Sequence, residues 1–347
     1  MKNNAKKTKK LLPLAVLLAA AALLGILLAV LTRSSTDAAD TTIPLCGFTA
    51  EEIDRLAYSG NNMDVTLLKG STGDWMLDSD PALPLDQAKV TSLVEQYAAL
   101  AALRKLEGSD LAELPEKSAA PQMTITIGAG DKTLALTVDQ LNAVADVYYV
   151  YDESGAAYTV MRSDLATLSK SPRDLYKAQT LTDKTLSDVA AMQVNDLQFT
   201  QTDGSWTLTD DPDYPVSQSS IKKMASTILQ MQTAWTVTAP EADTAYGLDS
   251  PDVTAVLTFT DGTSLTVRFG NAVAAAADGG DGNSLCYLAS DAAPTVVYEV
   301  NADSKLAYAV TKESLYDETA TAETAASDPV AQYPVGGEDD YADSLPE

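Results

Sequence analysis

The chain has 347 residues, of which 49 are acidic, 23 are basic and none is histidine, so its net charge is −26 at pH 7. Such an acidic surface repels nucleic acid and anionic lipid headgroups, and we expect no nucleic-acid partner. The lack of histidine excludes Ser-His-Asp triads, Cys-His dyads and His-based zinc sites. Two distant cysteines, Cys46 and Cys286, cannot form a structural zinc site alone. We therefore expect no metal and no cofactor.

The first 32 residues have the pattern of a membrane anchor. Five lysines in residues 1–10 precede an unbroken apolar run from Leu11 to Leu31. At about 1.5 Å per residue this run reaches about 31 Å, which matches the bilayer core. A cleaved signal peptide is the alternative, but its apolar core is usually only about 7 to 15 residues long. We therefore predict a retained transmembrane helix over 11–32, and we disfavour lipidation of Cys46 because bulky Leu45 precedes it.

The positive-inside rule gives this anchor an orientation. The basic segment 1–10 is expected in the cytoplasm, and the bulk of the chain is expected outside the cell membrane. A linker over 33–47 follows the helix. At the other end, residues 311–347 are rich in Asp, Glu, Ala and Thr, and the segment has only one basic residue, Lys312. We predict an acidic disordered tail there, because this composition cannot bury enough apolar surface.

Between linker and tail the chain repeats itself. Seven identities recur at one constant offset of 131 residues, which indicates duplication of a whole domain rather than a short-period solenoid. We predict repeat domain 1 over 48–170, a connector over 171–184 and repeat domain 2 over 185–310. The identical pairs are Gly73/Gly204, Trp75/Trp206, Leu77/Leu208, Asp80/Asp211, Pro81/Pro212, Pro84/Pro215 and Gln87/Gln218.

Each copy has one helix-period segment. After Pro84 and Pro215 the apolar spacing changes from two to three and four, which predicts one long amphipathic helix per copy. Gly108 is a plausible stop for the first of these helices. The predicted apolar faces consist of Val90, Leu93, Val94, Tyr97 and Leu100 in copy one, and of Ile221, Met224, Ile228, Met231 and Trp235 in copy two.

The other segments alternate with a period of two. Asp261-Gly262 separates two such runs and is a strong hairpin signal; Gly128–Asp131 separates the matching pair in copy one. A further strand pair closes each copy. Strands grouped around one helix, without βαβ alternation, predict an α+β fold with mostly antiparallel sheets.

Several segments resemble a known family. Trp206 with Pro215, the turn Tyr246-Gly247-Leu248 with Pro251, the Asp261-Gly262 hairpin and the connector Ser171–Tyr176 resemble the bacterial family of domain of unknown function 4340. The resemblance covers roughly residues 48–305, and copy one departs from it with Ala112-Glu113-Leu114 in place of Tyr-Gly-Leu. It implies an envelope protein with one N-terminal anchor, similar in some members to accessory proteins of ABC-type transporters. It implies no catalytic residues.

Few residues suggest chemistry. Ser219-x-x-Lys222 matches one motif of penicillin-binding enzymes, but the partner motifs Ser-Asp-Asn and Lys-Thr-Gly are missing. Asp80 and Asp211 could serve as glycosidase carboxylates, although Asp before Pro usually starts a turn. The loop Asp278–Asn283 lacks the alternating ligands of an EF-hand.

Aromatic residues give the remaining hint of function. Trp75 and Trp206 could stack on sugars, but matched positions in both copies favour a core role. Tyr148, Tyr149 and Tyr151 place aromatics on both faces of one strand, so one side is a candidate binding surface. We predict a non-catalytic interaction or scaffold protein of the envelope with a protein partner. The alternatives are a glycan- or ligand-binding module and a hydrolase using carboxylates or Ser219 with Lys222.

Overall fold

The computed structural model describes residues 42–60, 62–274 and 285–319. They form two compact units, the first from Met1–Gly73 with Ala88–Lys170 and the second from Asp74–Gln87 with Ser171–Glu347, as far as these ranges are described. The predicted transmembrane helix, the segment 1–10, most of the linker and the loop Asp278–Asn283 lie outside the described residues. Within the described ranges, no helix is both long enough and apolar enough to cross a bilayer.

The first half of the chain forms one eight-stranded sheet and a short two-stranded one. The eight strands pair in the order β4-β3-β2-β7-β8-β9-β10-β6, and β1 pairs with β5. The elements are β1 (Ile43–Pro44), β2 (Arg55–Gly60), β3 (Met63–Lys69), β4 (Trp75–Leu77), α1 (Gln87–Ala98), β5 (Ala101–Ala102), β6 (Arg104–Leu106), α2 (Ser109–Ala112), β7 (Met123–Ala129), β8 (Lys132–Asn142), β9 (Val147–Asp152), β10 (Ala157–Met161) and α3 (Arg162–Leu168).

The second half forms another eight-stranded sheet of the same kind. Its strands pair in the order β13-β12-β11-β15-β16-β17-β18-β14. Short 3-10 helices lie at Leu186–Asp188, Asp243–Ala245, Ala302–Tyr308 and Glu313–Leu315. The other elements are α4 (Pro172–Leu175), β11 (Val189–Val194), β12 (Leu197–Thr202), β13 (Ser205–Leu208), α5 (Gln218–Leu229), β14 (Thr233–Val237), β15 (Val253–Phe259), β16 (Ser264–Ala272), β17 (Leu285–Ser290) and β18 (Val297–Asn301).

The two large sheets share one topology, strand for strand. All strand pairs whose register is resolved are antiparallel, and few helices accompany them, which confirms the predicted antiparallel sheets. The same irregularity also recurs: β8 has a register shift between Val138 and Leu141, and β16 has one between Phe269 and Ala272. A bulge bends its strand and changes the direction of nearby side chains. This matching lets each residue of one sheet be compared with its counterpart in the other.

One helix covers a face of each sheet, as the 3.6-residue spacing predicts. In the first unit the Tyr97 ring of α1 stacks on Tyr58 of β2 at 5.6 Å, and its hydroxyl donates to the Leu168 carbonyl at 3.1 Å. The residues predicted for the apolar face of α1 are all buried, although Leu100 lies beyond the end of the helix at Ala98. The face predicted for α5 is right as far as Ile228; Met231 is buried but follows the helix, and Trp235 lies in strand β14.

Two details of the helix predictions were wrong. Helix α1 ends at Ala98, so Gly108 does not stop it; Gly108 precedes α2 with a positive φ of 57°. Helix α5 ends at Leu229 with Gln230 as its C-cap, so the four-residue step from Met231 to Trp235 is not helical. The strand β14 begins in between because Thr233 pairs with Val300 of β18.

The repeated tryptophans and glutamines form the same clamp in both copies. The Gln218 side chain accepts a hydrogen bond from the Trp206 amide at 2.8 Å and donates to the Trp206 carbonyl at 2.7 Å. Gln87 bonds the amide and carbonyl of Trp75 in the same way, at 2.7 and 2.9 Å. Both tryptophans are buried, so these bonds satisfy backbone groups that water does not reach. The identities therefore mark a structural joint between an edge strand and the helix that follows.

Two consecutive residues, which we call the Leu-Tyr pair, close each copy: Leu175-Tyr176 and Leu315-Tyr316. Tyr176 bridges to Leu85, and Tyr316 bridges to Val216. Leu315 is fully buried in the core of the second unit, so structure continues into the segment predicted as a disordered tail. Residues 311–319 are thus part of the fold, and the rest of that predicted tail lies outside the described residues.

Candidate functional site

The three tyrosines singled out in the sequence lie on opposite faces of β9. Tyr148 is half-buried on the face that carries Val160, its cross-strand partner, whereas Tyr149 and Tyr151 lie on the other face opposite Thr159 and Ala157. Tyr151 is buried in a small cluster with Leu106 and Ala157, and its pKa is raised mainly by burial. The three rings therefore do not form one exposed row, and Tyr148 is separated from the other two.

Tyr148 lines a cavity of about 270 Å³ in the first unit. The cavity lies where β8 bulges between Val138 and Leu141, beside the start of β7 and the helix α3. Its wall combines polar and apolar side chains, as small-molecule sites do. The lining residues are Gln122, Met123, Val138, Tyr148, Arg162, Leu165, Ala166 and Ser169.

Two other cavities are less suited to a ligand. One of about 220 Å³ in the second unit is lined by Arg268, which already donates to Asp243 at 2.9 Å and to the Leu248 carbonyl at 2.6 Å. The other, of about 260 Å³ in the first unit, is lined by Leu103 and Leu168 among others, and its one charged side chain is Asp164. The cationic group of the Arg268 cavity is therefore already committed to protein acceptors.

The connector carries an ionic and aromatic cluster in the second unit. Arg173 donates to both carboxylate oxygens of the buried Glu299, at 2.8 and 3.2 Å. Its guanidinium also lies 4.7 Å from the Trp235 ring centre, and the Tyr176 ring packs on that same tryptophan at 5.3 Å. The Tyr176 hydroxyl bonds the hydroxyls of Thr233 and Thr236 at 2.6 and 2.8 Å. The charged groups and the hydroxyls of this cluster all have partners, which is typical of a structural joint.

The second Leu-Tyr pair has a different environment. Tyr316 is 48% exposed, whereas its counterpart Tyr176 is 5% exposed. Its ring lies in a T-shaped arrangement with the Tyr214 ring, with centroids 5.8 Å apart, and Lys312 lies 4.7 Å from the Tyr214 ring centre. Lys312 also pairs with Asp211 at 2.8 Å. We call Tyr316, Tyr214, Lys312 and Asp211 the C-terminal aromatic patch.

The Tyr-Gly-Leu turn of the second copy has a structural reason. Gly247 has a φ of +69°, a conformation that L side chains rarely adopt, so a substitution there strains the backbone. The Tyr246 carbonyl accepts from the Asn271 amide at 2.8 Å, and its ring contacts the edge of Tyr287 at 4.8 Å. In copy one, Leu114 and Tyr149, the counterpart of Tyr287, both pack against the small buried cluster that contains Tyr151. The turn covers the outer face of the sheet and presents no reactive group.

The other candidate residues are engaged or solvated. Ser219 and Lys222 are both exposed on the first turn of α5, and the Ser219 hydroxyl bonds that of Ser217 at 3.1 Å. Asp80 accepts from the Thr238 hydroxyl at 2.7 Å, and Asp211 accepts from Lys312. In the part of the chain that the structure describes, no group of three or more potential metal ligands comes together.

Both cysteines are free and buried. Burial raises the pKa of the Cys286 thiol to about 11, and Lys305 offsets only part of this shift. The pKa of Cys46 is raised as well, chiefly by burial. Raised thiol pKa values indicate unreactive structural cysteines.

Sequence reasoning found Tyr148 but missed its neighbours in the cavity. Gln122, Arg162 and Ser169 come from the start of β7 and from α3, and no short motif joins them. It also missed the pairing of Arg173 with Glu299, which lie 126 residues apart. The recurring bulge could not be predicted from the sequence, because the extra residues between Val138 and Leu141 leave no distinct mark in the apolar pattern of β8.

Comparison with known families places part of the chain in a described family. The family model described as Domain of unknown function (DUF4340) matches residues 26–205. That range includes the first sheet and ends at the start of β13, so it does not test the second copy as a member of the same family. Neither a curated protein nor a solved structure matches the chain.

Proposed function

Because the chain belongs to the DUF4340 family, whose description assigns no activity, we propose a function from its geometry. The protein is a non-catalytic scaffold of the bacterial envelope, held by an N-terminal transmembrane helix, with both described units outside the cytoplasm. Its C-terminal aromatic patch binds a protein partner. The resemblance noted in the sequence favours a partner that belongs to an ABC-type transporter.

The observation that supports this proposal is the contrast between the two Leu-Tyr pairs. Tyr176 packs on an aromatic ring and bonds two threonine hydroxyls of a strand, β14. Tyr316 occupies the matching position in its own copy, with the same backbone bridge, but its ring is half exposed. Tyrosine is enriched in protein interfaces because it combines a large apolar ring with a hydroxyl donor.

The environment of Tyr176 also indicates what the partner presents. We infer a strand edge that offers an aromatic ring and threonine or serine hydroxyls, as Trp235, Thr233 and Thr236 do for Tyr176. Hydrogen bonding of a buried hydroxyl adds specificity to the apolar contact. The patch is small, so a stable complex requires further contacts around it.

A pull-down after crosslinking in cells tests the proposal. The full chain is recovered with its crosslinked partners, which are identified by mass spectrometry, for the wild type and for Tyr316→Ala. We expect one envelope membrane complex in the wild type and a loss of most of it in Tyr316→Ala. Val144→Ala, at a fully exposed position in the other unit, is the matched control and is expected to change nothing. Equal recovery from Tyr316→Ala and the wild type contradicts the role of the patch.

A second candidate function is ligand binding, and the cavity beside Tyr148 favours it. It is compatible with a scaffold, because the cavity and the C-terminal aromatic patch belong to different units. The hydrolase alternative has no comparable support, since Ser219 and Lys222 lie exposed on one helical turn.

A further inference from the structure

The duplicated fold shows how the cavity beside Tyr148 differs from its counterpart. Leu141 pairs with Tyr148 just after the bulge of β8, and Ala272 pairs with Cys286 just after the bulge of β16. Tyr148 therefore corresponds to Cys286. Gln122 corresponds to Asp252, because each directly precedes the equivalent strand, β7 or β15. Leu165 corresponds to Lys305, because each is the fourth residue of the equivalent helical segment.

In the second unit this position contains an ion pair of the protein itself. Lys305 donates to the Asp252 carboxylate and to the Gly270 carbonyl, the latter at 3.1 Å. The first unit has uncharged Gln122 and Leu165 at these two positions, and a cavity of about 270 Å³ remains beside them. The first copy thus lacks the ion pair that occupies the equivalent position in the second.

Each polar side chain of the cavity can donate a hydrogen bond, and the described residues offer these groups few acceptors. Neither the Tyr148 hydroxyl nor the Gln122 side chain has a hydrogen-bond partner among the described residues. The Ser169 hydroxyl has only a weak contact with the Met123 sulfur, at 3.9 Å. Arg162 has one long ion pair, with Asp146 at 3.8 Å, and more than half of its side chain is exposed. A guanidinium with a single distant partner can still bind a carboxylate in bidentate fashion.

The charge of the lining selects an anion. No acidic residue lines the cavity, although the chain contains 49 acidic residues. A ligand ammonium group would therefore find no carboxylate there, which disfavours free amino acids. The remaining wall is apolar, from Met123, Val138 and the α3 residues Leu165 and Ala166. A volume of about 270 Å³ is roughly nine times the ~30 Å³ share of one water, enough for about ten non-hydrogen atoms.

We propose that this cavity binds a small carboxylate whose body is uncharged and partly apolar, such as the C-terminal end of a peptide. Arg162 pairs with the carboxylate, while Tyr148 and Gln122 donate hydrogen bonds to the ligand's oxygens. The apolar body packs against Leu165 and Ala166. The proposal does not depend on the scaffold role, because it concerns a different surface.

Calorimetric titration of the purified full-length chain in detergent micelles tests it. The probes are N-acetyl-alanine, which is the smallest capped peptide end, its C-terminal amide and butyrate. We expect the acid peptide to bind with a dissociation constant of about 1 mM or below, and the amide at least about 10-fold more weakly. Butyrate tests whether the ligand is a free carboxylic acid or a peptide end. If butyrate binds as tightly as the acid peptide, the site is one for free carboxylic acids. Equal binding of acid and amide, or no binding of any carboxylate at about 10 mM, overturns the proposal.

Matched variants locate the binding. Arg162→Gln is expected to weaken binding of the acid peptide about 10-fold, and Tyr148→Phe is expected to weaken it about 2- to 10-fold. The control is Arg104→Gln, which removes another exposed arginine of the same unit, paired with Asp110 at 2.9 Å. It is expected to leave binding unchanged. Ala166→Leu, which fills the cavity, is expected to abolish binding while the thermal transition stays close to that of the wild type. Unchanged binding in both Arg162→Gln and Ala166→Leu contradicts the assignment.

Discussion

Arg173 and Glu299 join the two ends of the second unit through a bidentate ion pair. Arg173 comes from the connector helix α4 and Glu299 from the last strand of the sheet, and the carboxylate side chain is only 6% exposed. Two parallel N–H···O bonds at 2.8 and 3.2 Å hold the guanidinium in place over Trp235. The pair therefore fixes the connector against the strands that form its aromatic joint.

Breaking this pair is expected to destabilise the second unit. Removing one partner of a buried ion pair typically costs about 3–5 kcal/mol, and Glu299→Gln should fall toward the lower end because a quarter of the Arg173 side chain is exposed. Urea unfolding followed by tryptophan fluorescence measures the change. The control is Asp243→Asn, which breaks the pair with Arg268; both partners are over a third exposed, so it should cost less than about 1 kcal/mol. Equal effects of the two variants would contradict the structural role of Glu299.

The glutamine clamp gives a second prediction. Gln218→Ala leaves the buried amide and carbonyl of Trp206 without these partners, and each unsatisfied group costs about 1–3 kcal/mol. Gln87→Ala should act in the same way at Trp75. Gln230→Ala at the exposed end of α5 is the control, with an expected change of under about 0.5 kcal/mol. Urea midpoints of the full chain compare the three, and a Gln218→Ala midpoint equal to that of Gln230→Ala rules the clamp out as a source of stability.

Stability is expected to fall in alkali because of two buried tyrosines. Burial raises the pKa of Tyr97 and of Tyr308 well above the ordinary value near 10. Below about pH 10 the folded and the unfolded chain both keep these hydroxyl protons, so the two tyrosines contribute fully to stability. Above about pH 10 only the unfolded chain loses them, and the free energy of unfolding falls by about 1.4 kcal/mol per pH unit for each tyrosine. Urea unfolding at a series of alkaline pH values should show a shallower decline for Tyr97→Phe combined with Tyr308→Phe. The same slope in this variant and in the wild type would falsify the assignment.

The cysteines should react slowly while the protein is folded. With a pKa of about 11, roughly one Cys286 thiol in a thousand is ionised at about pH 8, against about a quarter of ordinary thiols. Iodoacetamide labelling is therefore expected to be at least about 100-fold slower in the native chain than in urea. Mass spectrometry of the intact chain counts the labelled thiols. Rapid native labelling of Cys286 would mean that its strand opens readily.

Periodicity predicted most of the regular structure because each element has its own local pattern. The Asp261-Gly262 turn joins β15 and β16 as predicted, with Gly262 at a φ of +83°. Ser171 is the N-cap of α4 and forms a complete capping box with Asp174, and Pro172 occupies the first helical position between them. A Ser-Pro start of this kind is a local sequence signal for a helix. Such features depend on neighbours within a few residues, which a sequence shows directly.

The predictions that failed concern features that depend on contacts between residues far apart in the sequence. Trp235 continues the helical spacing but lies in a strand, since its position is decided by pairing with β18 and packing on Tyr176. The cavity could be only partly predicted for the same reason. Tyr148 was indicated by its strand, whereas Arg162 joins it through the bulge of β8 and the placement of α3.

The most direct test of the proposed scaffold is residue-specific photo-crosslinking in cells. A photoreactive amino acid replaces Tyr316 in the full chain, and a second chain carries it at Val144, which is fully exposed in the first unit. We predict one strong crosslink at 316 to an envelope membrane protein, absent at 144, with transporter subunits as the expected partner. A crosslink from 316 only to the chain's own residues 320–347, or equal products from both positions, would contradict it.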